Sequence, residues 1–81
     1  MRLIISDHAM MRWRERVGYG KYKKIKNLVM GNLLPQLRIG LDSNERGAFP
    51  LELFSGLVAM LEIDPAGYWV VTTFRRDEFT G

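Results

Sequence analysis

The chain has 81 residues, 47% apolar and 26% charged, with a formal net charge of +3 and an isoelectric point near 9.6. That length is a single small domain over 1–81, and this composition excludes an intrinsically disordered chain. The absence of cysteine excludes disulfides and thiolate metal sites. No apolar run approaches the ~20 residues of a membrane span, and Met1–Ile5 is too short an apolar run for a secretory signal. A cytoplasmic protein without membrane contact is expected.

Leu3-Ile4-Ile5 is a short apolar run, either an edge strand or the lead-in to a helix. Ser6 then has the character of an N-cap, and Asp7 suits the positive end of a helix dipole. The spacing predicts a first helix over 7–17, with Gly18 at its C′ position. At about 100° per residue, Ala9, Met10, Trp13 and Val17 share a packing stripe. His8, Arg12, Glu15 and Arg16 lie on the other side.

Tyr19-Gly20 breaks the chain, and a second helix is predicted over 21–34. Tyr22, Ile25, Leu28, Val29 and Leu33 form its packing face, and Pro35 is expected to end it. Lys21, Lys23, Lys24 and Lys26 crowd its first turns, where they oppose the helix dipole.

The remainder has strand character. Leu37, Ile39 and Leu41 alternate with Arg38 and Gly40, and 42–47 is a polar turn or loop. Residues 48–54 form a strand that Pro50 assigns to an edge or a bulge. Ser55-Gly56 turns the chain. The nearly unbroken apolar run 57–63 suits a central strand. Asp64-Pro65-Ala66-Gly67 is a turn, the aromatic and β-branched run 68–74 a further strand, and 75–78 a charged tail. The expected architecture is α+β: two N-terminal helices packed on a three- to four-stranded antiparallel sheet.

His8 and Arg12, at i and i+4, share one face of the first helix, with Arg16 a turn further on. Metal-independent RNA cleavage by attack of the ribose 2′-OH needs a proton carrier that titrates near neutrality, which histidine supplies. It also needs cations around the phosphorane, which arginine supplies in a fixed fork. On spacing alone a solvated helix face, with Arg12 paired to Glu15, is the better account. Arg12 and Arg16 form a like-charge i, i+4 pair costing a few tenths of a kcal/mol; an anion between them would remove that cost. Lys21, Lys23 and Lys24 can contact a phosphate backbone; as an ordinary solvated face they would still attract RNA at long range. On the last strand, period two groups Trp69, Val71, Thr73 and Arg75 on one side and Tyr68, Val70, Thr72 and Phe74 on the other. A core-facing threonine there can orient a phosphate or a water, although threonine is also a common strand residue. One histidine and no cysteine argue against a transition-metal site, so neither metal nor cofactor is expected. No phosphate-cradling glycine loop or nucleophile elbow occurs.

The segment Ser6-Asp7-His8-Ala9-x-x-Arg12-x-x-Glu15-Arg16 resembles a small bacterial and phage domain family of unknown function. Its members open on a helix with a His-Ala-x-x-Arg-x-x-x-Arg pattern and close on a Val-Thr-x-aromatic strand, here Val71-Thr72-Thr73-Phe74. That family is similar to the superfamily of barnase, the colicin ribonucleases and RelE-type toxins, in which helices pack on an antiparallel sheet. The resemblance implies a toxin-like ribonuclease fold, with His8 in proton transfer, Arg12 and Arg16 binding phosphate, and Thr72 in support. A toxin–antitoxin or phage-related origin, with RNA and a protein antitoxin as partners, goes with it. Arg75 joins the phosphate-stabilising set.

Three readings follow. The first is a metal-independent endoribonuclease working by transphosphorylation. The second is a non-catalytic module of the same fold that binds nucleic acid or protein. The third is a small structural protein that dimerises through an edge strand such as 37–41.

Overall fold

A computed structural model of the protein describes residues 2–40 and 47–76. The elements follow as β1 (Leu3–Ile5), α1 (Asp7–Arg16), α2 (Tyr22–Ile39), β2 (Phe49–Phe54), β3 (Leu57–Ile63) and β4 (Trp69–Arg76). The architecture is α+β, two helices on a four-stranded sheet of order β1-β4-β3-β2. No helix among the described residues is long and apolar enough to cross a membrane.

The sheet is mixed, not antiparallel. β2, β3 and β4 form an antiparallel meander, but β1 pairs with β4 in parallel, Leu3 opposite Trp69 and Ile5 opposite Val71. The chain leaves the sheet after β1, makes both helices, and returns so that its first and last strands become neighbours. Leu3 and Ile5 turn inward while Ile4 faces the other way, half-exposed, the period-two pattern of a strand buried on one face.

α1 starts where a local cap predicts. Ser6 has extended backbone and its Oγ accepts the Ala9 N–H at 3.1 Å. Gly18, at φ 118°, ends the helix, and its N–H donates to the Trp13 carbonyl. Ala9 and Trp13 form the buried stripe, with Met10 beside it; Val17, expected to pack, is exposed.

α2 departs from expectation. It runs through Pro35 to Ile39 and stops at Gly40, whose φ is 91°. Proline at 35 cannot donate to the carbonyl of residue 31. That carbonyl belongs to Gly31, which is exposed and has open space around it, so water can satisfy it. The fully buried Leu33 holds the helix on the sheet across this break. The alternation of Leu37 and Ile39 is therefore not a strand: both lie on the helix, and Ile39 is 78% exposed. Leu41 and the polar loop over 42–46 lie outside the described residues, as does the tail beyond Arg76. The expected edge strand over 37–41 is corrected at 37–39, which are helical. Ile25, Val29 and Leu33 are the buried face of α2, whereas Tyr22 is exposed, its hydroxyl accepting the Ile5 N–H at 3.0 Å at the outer edge of β1.

Pro50 does sit on an edge strand, β2. Ser55 and Gly56, both with positive φ, make the two-residue reversal into the central strand β3, the primed hairpin turn that matches strand twist. The Asp64–Gly67 turn is closed by the Gly67 N–H to the Asp64 carbonyl, and Asp64 Oδ1 accepts the Tyr68 N–H.

One bulge controls which side chains of β4 face the helices. Met60 pairs with Thr73 but Leu61 pairs with Val71, so Thr72 is the extra residue. Strict alternation therefore fails. Val71 and Phe74 both point into the core under the helices, while Thr73 and Arg75 pair with Met60 and Val58 on the far face. The main core is built from Leu3, Ile5, Ala9, Trp13, Ile25, Val29, Leu33, Leu51, Leu57, Ala59, Leu61, Val71 and Phe74. Each large member contributes about 1.5–3 kcal/mol by leaving water.

Candidate nucleic-acid interface

β1 ends at Ile5, so among the described residues β4 beyond Val71 has no strand on that side. α1 lies along the bare edge instead. The Ser6 N–H donates to Val71 O (3.1 Å), the Ser6 hydroxyl to Thr72 O (3.2 Å), and Arg16 Nε to Phe74 O (3.0 Å). Arg76 returns the contact, its Nη2 donating to the Arg16 carbonyl at 3.1 Å. Buried and edge carbonyls left unpaired are costly, so Ser6 and Arg16 hold α1 against the sheet. A residue expected to bind phosphate thus has a structural task that occupies its ε N–H.

The proposed catalytic set is spread out. His8 is exposed on the first turn of α1 and has no hydrogen-bond or ion-pair partner among the described residues. Arg12 shares its face but is paired with Glu15 at 2.8 Å, an exposed pair of small energetic value. The Thr72 hydroxyl donates to Met60 O at 3.2 Å, tying down the bulge. Arg75 faces away from the helices, opposite Val58. The strand register therefore separates Arg75 from the helix residues it was expected to join. No enclosed cavity and no group of three or more metal-ligating side chains occurs among the described residues.

The structure does bring other residues together. From Arg12 to Lys26 the chain carries seven cations, Arg12, Arg14, Arg16, Lys21, Lys23, Lys24 and Lys26, against one acid, Glu15. These positions span the end of α1, the connection and the first turns of α2, and Arg76 joins them through its bond to Arg16. Glu15 is engaged by Arg12, and the other six cations have no carboxylate partner among the described residues. Lys21 is the N-cap of α2 and makes no side-chain cap bond, so three lysines, Lys21, Lys23 and Lys24, stand at the positive end of a helix dipole. The result is a corner of concentrated positive charge. Sequence reasoning named six of its eight cations, Lys26 as part of the lysine run over 21–26; Arg14 and Arg76 were given no part in it. Counting charge across the helix junction would have found Arg14, while Arg76 needed the strand register.

Comparison with protein-family models, with curated proteins and with solved structures gives no match to this chain.

Proposed function

We propose that the domain is a non-catalytic RNA-binding module that uses the α1–α2 corner to hold the phosphate backbone. The observation that carries this reading is the seven-to-one excess of cations over acids between Arg12 and Lys26, on a surface where only Arg12 is neutralised by a carboxylate among the described residues. Lysines at a helix N-terminus raise the energy of the free protein slightly. A polyanion removes that cost and gains counterion-release free energy as well. The ribonuclease reading asks more of the same residues. It needs His8, Arg12, Arg16, Thr72 and Arg75 around one phosphate, whereas Thr72 and Arg16 are engaged with backbone carbonyls and Arg75 lies across the sheet.

Fluorescence polarisation with a labelled RNA oligonucleotide tests it. Affinity should fall with salt, with a slope of about −0.7 per phosphate neutralised for a single strand. The Lys21→Glu/Lys23→Glu/Lys24→Glu variant should bind at least about tenfold more weakly, while His8→Ala binds as the parent does and the RNA stays intact on a gel. Unaltered binding by the triple variant overturns the proposal. RNA cleavage that disappears with His8→Ala would replace it with the ribonuclease.

A further inference from the structure

Two tyrosines lie in the basic corner: Tyr22, half-exposed, has its hydroxyl held by the Ile5 N–H, whereas Tyr19 stands clear of the surface. Tyr19, in the connection between α1 and α2, is 86% exposed, more than any other large hydrophobic side chain among the described residues. A single exposed tyrosine is ordinary; its mounting is not. Trp13 anchors the chain on both sides of it. On one side the Trp13 carbonyl accepts the N–H groups of Val17 and Gly18, at 2.8 and 3.2 Å. On the other, Gly20 is seated so closely on the Trp13 indole that a Cβ there would lie 2.7 Å from Nε1 and 3.0 Å from Ile25 Cδ1. Trp13 is itself 94% buried, given its 6% exposure, and is packed edge-on to Phe74 and Phe54. The backbone is thus clamped on either side of Tyr19 while the ring projects into solvent, flanked in sequence by Arg14 and Arg16 before it and Lys21, Lys23 and Lys24 after it.

We infer that Tyr19 is a stacking platform for an unpaired base, which makes single-stranded RNA the preferred ligand of this corner. The inference rests on the RNA-binding reading above and adds the strandedness of the ligand to it. Lysine and arginine attract any nucleic acid through its phosphates and do not distinguish a duplex from a single strand. A fixed, solvent-facing ring among them does, because only an unpaired base offers a free π face, and each stacked base contributes appreciably whatever its identity. Clamping the backbone on both sides lowers the ordering cost of binding.

Polarisation titrations of the full chain with a single-stranded RNA and with the same sequence as a blunt duplex provide the test. The parent should prefer the single strand. Tyr19→Ala should weaken single-strand binding about five- to tenfold, leave duplex binding within about twofold, and remove the preference; Tyr19→Phe should retain it. The far-UV spectrum of each variant should match the parent, because the ring supports no packing. Equal binding of the two forms by the parent, or no effect of Tyr19→Ala on the single strand, overturns the stacking role. In either case continued loss of binding in the Lys21/Lys23/Lys24 charge reversal would leave the RNA-binding reading standing. If that charge reversal has no effect, both fall.

Discussion

Gly20→Ala puts the packing of the corner under direct strain. The added methyl would sit 2.7 Å from Trp13 Nε1, and 3.0 and 3.2 Å from Ile25 Cδ1 and Cγ1. Unstrained non-bonded contacts begin near ~3.5 Å, so the methyl is about 0.8 Å too close to the indole. Neither neighbour can retreat freely. Trp13 is wedged between Phe74 and Phe54, with ring centroids at 5.1 and 6.3 Å, and Ile25 is 2% exposed. Overpacking of this kind costs about 1–3 kcal/mol. Part is returned because alanine restricts the unfolded chain, which stabilises by ~0.4–1 kcal/mol where the backbone tolerates it. The net expectation is a loss of about 1–2 kcal/mol, read by calorimetry as a Tm lower by about 5–15 °C for a domain this size. A double-mutant cycle identifies the cause. Trp13→Phe withdraws Nε1, a buried donor with no partner, together with the ring edge that the methyl meets. In that background Gly20→Ala should cost at least about 1 kcal/mol less than in the parent. A neutral or stabilising Gly20→Ala, or strictly additive single changes, refutes the clamp.

Two further expectations concern the scaffold. Ser6→Ala removes both the cap on the Ala9 N–H and the bond to the Thr72 carbonyl, and should lower stability by about 1–2 kcal/mol, seen as a lower urea midpoint at constant m; an unmoved midpoint would mean that Ser6 does not hold α1 to β4. Gly31→Ala, in a helix interior with nothing within 4 Å of the new methyl, should raise stability by ~0.5–1 kcal/mol, and a lower midpoint in the same titration would contradict the open surface described around it.

Much of the fold was legible because its signals are local. Ser6 and Gly18 mark the ends of α1, Ser55-Gly56 and Asp64–Gly67 mark the reversals, Pro50 marks the edge, and the apolar run 57–63 marks the centre of the sheet. The misreadings share another character: each depends on surroundings that the local pattern does not carry. Pro35 is tolerated because the acceptor it abandons is on Gly31, open to water. Whether Leu3–Ile5 is a strand, and in which direction it pairs, depends on Trp69–Val71. The shared facing of Val71 and Phe74 depends on a bulge at Thr72, set by pairing with Met60 and Leu61. Period two alone had grouped Val71 with Thr73 and Arg75; the bulge instead puts Val71 beside Phe74 under the helices and leaves Arg75 on the face away from α1.

The like-charge pair Arg12–Arg16 shows how a distant partner changes a functional argument. On a bare helix the pair mildly opposes itself, and an anion between the two guanidinium groups is one way to relieve it. In the fold each arginine is already engaged elsewhere. Glu15, a turn away, takes Arg12, and the Phe74 carbonyl, 58 positions on, takes the ε N–H of Arg16. A guanidinium donating to a strand-edge carbonyl covers an edge that would otherwise be open to pairing with another chain, and that accounts for an arginine at 16 without any ligand. No comparable structural partner accounts for Lys21, Lys23 and Lys24, which have no ion pair among the described residues and stand against the dipole of α2. The argument for phosphate therefore rests on the lysines of the second helix more than on the arginines of the first.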